Sequence, residues 1–197
     1  IENGTNVSKC HEYKALAYND KKDYKNALAS FEQAIATSDE DTKSLVYNAA
    51  IAAYRGKAYD KAVEFFTQSV ENGYKGETAQ YYKAVVYSKQ KNDEAYKTAL
   101  EEGVAKFPGD KKMAPALANV YVGEGNELYK KGAAILSGAN EKVNAGTLKT
   151  DDEAYTAEFE KAKKEFAAAI VVLEKAKALD PSNANATKLL EACNAVK

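Results

Sequence analysis

Residues 24–34 read YKNALASFEQA, and residues 59–69 read YDKAVEFFTQS. Each has an aromatic residue, a small residue three positions on, a Phe four later and a small residue three after that: Tyr24, Ala27, Phe31 and Ala34, then Tyr59, Ala62, Phe66 and Ser69. That spacing lays one stripe along a helix. A weaker copy, YKTALEEGVAKFP, occupies 96–108. Aligned positions Ala27, Ala62 and Tyr96 stand 35 and 34 residues apart. A fixed period of this size is the mark of a repeat array, in which each unit buries its apolar face only against its neighbours.

A second helical pattern precedes each copy: YKALAY at 13–18, YNAAIAA at 47–53 and YKAVVY at 82–87. Ala15, Ala50 and Ala84 allow the first helix of each pair to approach the second closely, and Tyr18 and Tyr87 fill the space beside them. The repeats therefore fall at about 8–41, 42–75 and 76–109.

In period, helix pairing and these motif positions the chain resembles tetratricopeptide-repeat (TPR) proteins, over at least residues 6–108. It departs from their pattern where His11, Val46 and Gln80 replace an early large aromatic, and where Lys14 and Lys83 replace a Leu. The resemblance implies an all-α, right-handed α-α superhelix of about four repeats in one domain, 1–197.

The last third breaks the pattern. A fourth unit opens at Asp110 with Leu117, Ala118 and Tyr121, but no turn follows; VGEGNELYKKGAAIL, 122–136, continues at helical spacing. Gly123, Gly125 and Gly132 each cost about 1 kcal/mol in a helix interior, and a kink at Gly123–Gly125 is the alternative to one continuous helix. Residues 137–149, rich in Gly, Asn and Ser, read as a loop. Thr150 and Glu153 have the spacing of a capping box opening a helix to Leu179, supported by pairs such as Glu160 with Lys164. Asp180-Pro181 stops it. The fourth repeat, 110–181, is thus expected as a hairpin of two helices of about 27 residues, roughly 40 Å each, projecting beyond the other repeats. Residues 182–197 form a capping helix with Leu189, Leu190 and Cys193 inward. This combination resembles exported bacterial multi-TPR proteins, which implies a periplasmic or envelope location, with the cytoplasm as the alternative.

Charge and composition narrow the function. Twenty-eight basic and twenty-nine acidic residues give a net charge of −1, so no global basic field favours nucleic acid or anionic lipid. No stretch approaches the roughly 18 apolar residues that span a bilayer. The first residue is Ile1, which reads as a processed or truncated N-terminus and leaves a leader undecided. Acceptor tripeptides for glycosylation at Asn3, Asn6 and Asn185 carry no weight in an Asn-rich chain. Cys10 and Cys193 lie near opposite ends, too far apart to pair in a repeat array. Cys193 shares helical spacing with Leu189 and Leu190 and reads as a small buried hydrophobe. Cys10 beside His11 lacks further ligands for a metal. No catalytic constellation is present, and residues 123–126 lack the Lys and Ser/Thr of a phosphate loop. No enzyme, cofactor or metal site is expected.

In TPR proteins the first helices line a concave groove that holds a peptide or protein segment. Carried onto this sequence, the groove positions are Glu12, Tyr13, Leu16, Tyr47, Asn48, Ile51, Tyr54, Arg55, Tyr81, Tyr82, Val85 and Lys89. Asn48 resembles the asparagine that hydrogen-bonds a ligand's backbone. The basic clamp that grips a chaperone's C-terminal carboxylate is absent, with Glu12, Thr78 and Tyr82 in its places. The tyrosines suit an interface, since each buries a flat apolar ring and keeps a polar hydroxyl; the opposing reading is that they pack between repeats. The expected function is an interaction module or scaffold for a protein or peptide partner. The alternative is a structural or self-assembling envelope component docking through the hairpin 111–179. Oligomeric state and partner identity stay open.

Overall fold

The computed structural model describes residues 4–196, with the side chains of residues 4–6 outside that description. Ile1 and the acceptor Asn3, and the side chain of Asn6, therefore lie outside the described residues. Among the described residues all regular structure is helical, and the chain divides into two compact units, 1–110 and 111–197.

Unit 1 holds six helices: α1 Gly4–Asp20, α2 Tyr24–Ala36, α3 Lys43–Arg55, α4 Tyr59–Asn72, α5 Gly76–Lys89 and α6 Asp93–Lys106. Each packs on the next in chain order, giving three stacked hairpins. The small residues sit where the helices come closest: Ala15, Ala27, Ala34, Ala50, Ala62, Ser69 and Ala84 are completely buried. Phe31, Phe66 and Leu100 fill the spaces between hairpins and are 2% exposed or less. Each such side chain contributes about 1.5–3 kcal/mol by burial.

The turn inside each hairpin repeats as faithfully as the core. Lys22, Lys57 and Lys91 adopt left-handed backbone with φ of 60°, 60° and 57°. Behind each, the next amide reaches back five residues: Asp23 N–H donates to the Tyr18 carbonyl at 2.9 Å, Ala58 to Ala53 at 2.9 Å and Asn92 to Tyr87 at 3.0 Å. This is the Schellman closure that satisfies the last carbonyls of a helix. The second helix then starts at once, capped by the Asp23 side chain on Asn26 N–H (3.3 Å) and by Asn92 on Ala95 N–H (3.1 Å). Ala58, at the same place in the middle hairpin, has no side chain that can cap.

Unit 2 holds α7 Met113–Asn144, α8 Glu153–Leu179 and α9 Ala184–Asn194. α7 runs for 32 residues through Gly123 and Gly125 as one continuous helix. A Cβ on Gly125 would lie 2.6 Å from Leu173 Cγ, and one on Gly132 would lie 2.9 Å from the Phe166 ring. These glycines let α7 lie close against α8; the packing outweighs their poor helix propensity.

Three further local features differ from the sequence expectation. Residues 137–144 are helix rather than loop: Ala139 is 2% exposed and Tyr155 Oη donates to Asn140 Oδ1 at 3.0 Å, so tertiary contact holds a segment whose composition argues against it. The helix ends at Asn144, and beyond its C-cap Ala145 the chain turns away at Gly146, whose φ of 72° suits a residue without a side chain. Nor does Thr150 cap α8. The N-cap is Asp152, and its carboxylate accepts from Lys149 N–H at 2.7 Å instead of from the helix. Further on, Glu160 pairs with Lys163 at 3.3 Å, one residue nearer than the expected partner Lys164. Leu189, Leu190 and Cys193 of α9 pack on α8 around Phe166 and Leu173, and burial pushes the Cys193 thiol up.

Candidate functional site

α3 lies in the middle of unit 1 and is nearly enclosed. Leu45, Val46, Tyr47, Ala49, Ala50, Ala52 and Ala53 are buried; of the rest, Ser44, Asn48, Ile51 and Arg55 form one outward stripe, with Lys43 and Tyr54 beside it. Those four positions advance by four, three and four residues, one face of a helix. Matching positions on the neighbouring first helices are Tyr13 and Leu16 on α1, and Tyr82, Val85 and Lys89 on α5. Tyr13 is 69% exposed and Leu16 39%, against the general burial of large apolar side chains elsewhere. Arg55 and Lys89 are exposed, and the Arg55 guanidinium lies 6.0 Å from the centre of the Tyr24 ring. Asn48 is half-buried, and among the described residues its amide has no hydrogen-bond partner.

The tyrosines divide between the two roles anticipated for them. Tyr47, expected on the groove, is 8% exposed. It sits edge-on to Phe66 at 6.2 Å and to Tyr74 at 6.0 Å, with Lys75 Nζ 4.6 Å above its ring. One residue before Asn48 is about 100° round the helix, and that turn carries Tyr47 toward α4. Tyr82 stacks on Phe66 at 5.7 Å with the rings 11° from parallel, and Tyr54 leans on Tyr82 at 5.7 Å. Tyr81 meets Tyr82 edge-on at 5.8 Å. These rings join α3, α4 and α5 into one aromatic row. Burial pushes the Tyr47 phenol up, with Tyr82 and Tyr74 adding to it, and does the same to Tyr54. Both phenols therefore stay uncharged at neutral pH. Glu12 is half-buried at the edge of a small polar hollow of about 140 Å³ between α1 and the start of α3.

One feature was missed in the sequence. In the third hairpin the positions that carry apolar or small residues in the second are polar. Gln80 is 2% exposed, with Nε2 donating to the Ala99 carbonyl at 2.7 Å and to Glu102 Oε2 at 3.3 Å. Lys83 Nζ lies 3.2 Å from the same carboxylate. Together with Tyr87, Asn92 and Thr98, Lys83 and Glu102 line a cleft of about 320 Å³ between α5 and α6. The signal was present in Gln80 and Lys83 as departures from the repeat pattern. Among the described residues no group of three or more His, Cys, Asp or Glu side chains is placed to hold a metal ion, and no helix is long and apolar enough to cross a membrane.

No protein-family model matches the sequence, and no curated protein does. Solved structures do resemble the fold. A TPR protein from Bacteroides fragilis superposes with a TM-score of 0.66 at 19% identity, over 96% of this chain and 99% of that one. The TPR2AB domain of yeast Sti1, in complex with pHSP90, superposes with a TM-score of 0.52 at 14% identity, over 96% of this chain and 84% of that one. At these identities the likeness is one of fold: the chain has the helix-turn-helix architecture of TPR proteins.

Proposed function

We propose that unit 1 is a protein-interaction module that holds an extended segment of a partner protein along the outward stripe of α1, α3 and α5. The observation that carries this reading is the Asn48 amide. It offers one acceptor and two donors from a half-buried position that solvent still reaches, without a partner among the described residues, so a ligand's backbone can exchange for water there. Tyr13 and Leu16 beside it offer exposed apolar area on the same side. The yeast structure of similar fold is a complex with pHSP90, which supports partner binding as a use of this fold. Glu12, Thr78 and Tyr82 stand where a carboxylate clamp needs cations, and Tyr82 is committed to Phe66, so the partner segment is internal and not a gripped C-terminus.

The test replaces surface groups only. Asn48→Ala and Leu16→Ser each weaken binding of a co-purified partner roughly tenfold by calorimetry, about 1.4 kcal/mol, while the helical circular-dichroism spectrum and melting temperature stay as in the parent. Parental affinity in both variants would remove the groove from consideration.

A further inference from the structure

Of the four large apolar side chains that stand exposed among the described residues, three (Val7, Tyr13 and Leu16) are on α1. α1 packs extensively on α2 only, whereas α2, α3, α4 and α5 each pack on two helices. Ala15 is completely buried, and Ser8 Oγ donates to the Ala34 carbonyl at 2.8 Å, so one side of α1 is committed to α2. The side away from α2 carries Lys9, Tyr13, Leu16 and Asp20, all exposed. These positions advance by four, three and four residues, which keeps them within about 60° of the helix circumference. Neither Lys9 nor Asp20 is in an ion pair among the described residues.

The stripe therefore reads base, aromatic, aliphatic, acid along about 16 Å of helix. That order is complementary to its own reversal. Two such stripes laid antiparallel about the midpoint between Lys14 and Ala15 bring Lys9 of one copy to Asp20 of the other, and Tyr13 to Leu16. A two-fold axis makes each contact twice. A parallel pairing would set Lys9 beside Lys9 and Asp20 beside Asp20, and like charges at the ends of a helical seam oppose that orientation. A helix of uniform charge would match one end of the stripe and be repelled at the other. The occupant that answers both ends is the stripe itself.

We propose that two copies of this chain pair through α1, antiparallel, with Tyr13 of each against Leu16 of the other and Lys9 against Asp20. The seam is a single helix wide and falls below the size of a permanent interface, so the dimer is weak and concentration-dependent. Tyr13 and Leu16 also border the groove, so a second copy and a partner segment exclude each other at α1.

Sedimentation velocity on the full chain without any partner, from about 10 µM to 1 mM, tests this. The parent shifts from monomer to dimer across that range. Lys9→Glu sets a carboxylate against Asp20 of the second copy, and Asp20→Lys sets an ammonium against its Lys9. Each variant alters both symmetric pairs, and its dissociation constant rises roughly tenfold. The exchange Lys9→Glu/Asp20→Lys in one chain restores the parental constant, and an equimolar mixture of the two single variants pairs more tightly than either alone. All these positions are exposed, and an unchanged helical spectrum confirms that the variants fold. A parent that stays monomeric at the highest concentration overturns the proposal, as does a dimer that ignores the single reversals or is not restored by the exchange. Asn48→Ala lies off α1 and leaves the dimer as in the parent, so the groove reading stands or falls separately.

Discussion

Four single substitutions in α7, each a glycine to alanine, separate the two effects that act on that helix. Alanine in a helix interior is favoured over glycine by about 1 kcal/mol. At Gly123 and Gly138 the added Cβ would find nothing within 4 Å, so Gly123→Ala and Gly138→Ala keep that gain and stabilise by about 0.5–1 kcal/mol. At Gly125 the Cβ would stand 2.6 Å from Leu173 Cγ and 2.7 Å from Cδ2, about 1 Å inside ordinary carbon contact. Leu173 is fully buried, and the Cγ met first is not moved by turning the end of the side chain. α7 and α8 must then separate, and a gap of 0.5–1 Å forfeits about a quarter to a half of each contact along the interface. Overpacking costs about 1–3 kcal/mol and more where nothing can yield. Set against the propensity gain, Gly125→Ala destabilises by about 2 kcal/mol. Gly132→Ala destabilises by about 1 kcal/mol, because the atoms it meets at 2.9 Å are the tip of the Phe166 ring, which can tilt. Urea unfolding followed by circular dichroism, with amide exchange assigning the change to residues 111–197, reads both signs. For a unit of this size each kcal/mol is worth about 4–8 °C in melting temperature. If Gly125→Ala stabilises as Gly123→Ala does, α7 and α8 are not in close contact there and the account of this hairpin is wrong.

Two further predictions concern unit 1. Ser69 Oγ is fully buried and has no hydrogen-bond partner among the described residues, at the place where Ala34 sits in the first hairpin. Ser69→Ala therefore raises stability by about 1 kcal/mol; a loss of stability in urea unfolding would mean that the hydroxyl is satisfied. Ala58 occupies the cap position that Asp23 and Asn92 use in the flanking hairpins, so Ala58→Asn supplies the missing acceptor and stabilises by about 1 kcal/mol. Amide exchange in the first turn of α4 slows if this is right, and an unchanged rate there counts against it.

How much of this was legible in advance depends on the range of the forces involved. The 34–35 residue spacing of Ala15, Ala50 and Ala84 marked out three hairpins because small residues must recur wherever two helices meet closely. The same reasoning read Cys193 correctly as a packing residue. It failed at residues 137–144, where composition argued for a loop and contacts such as that of Tyr155 with Asn140 keep a helix. It failed at Thr150 because a capping box is recognised by spacing, while the helix began only after Asp152.

The candidate site shows the same division. Sequence periodicity by itself determined the first helices, the register of Leu16, Ile51 and Val85, and the Asn48 position, since all of these follow from a repeat with a known helical face. Only the tertiary structure decided which tyrosines face outward. Tyr13 and Tyr47 are the same residue type one helical position apart in the repeat, yet one is 69% exposed and the other 8%. The difference comes from Phe66 and Tyr74 on neighbouring elements, whose rings enclose Tyr47. It also decided that Gly125 and Gly132 are contact points and not weak spots, because the atoms that require a missing Cβ belong to Leu173 and Phe166 on another helix. Local chemistry sets which face a helix offers, and long-range packing sets what that face meets.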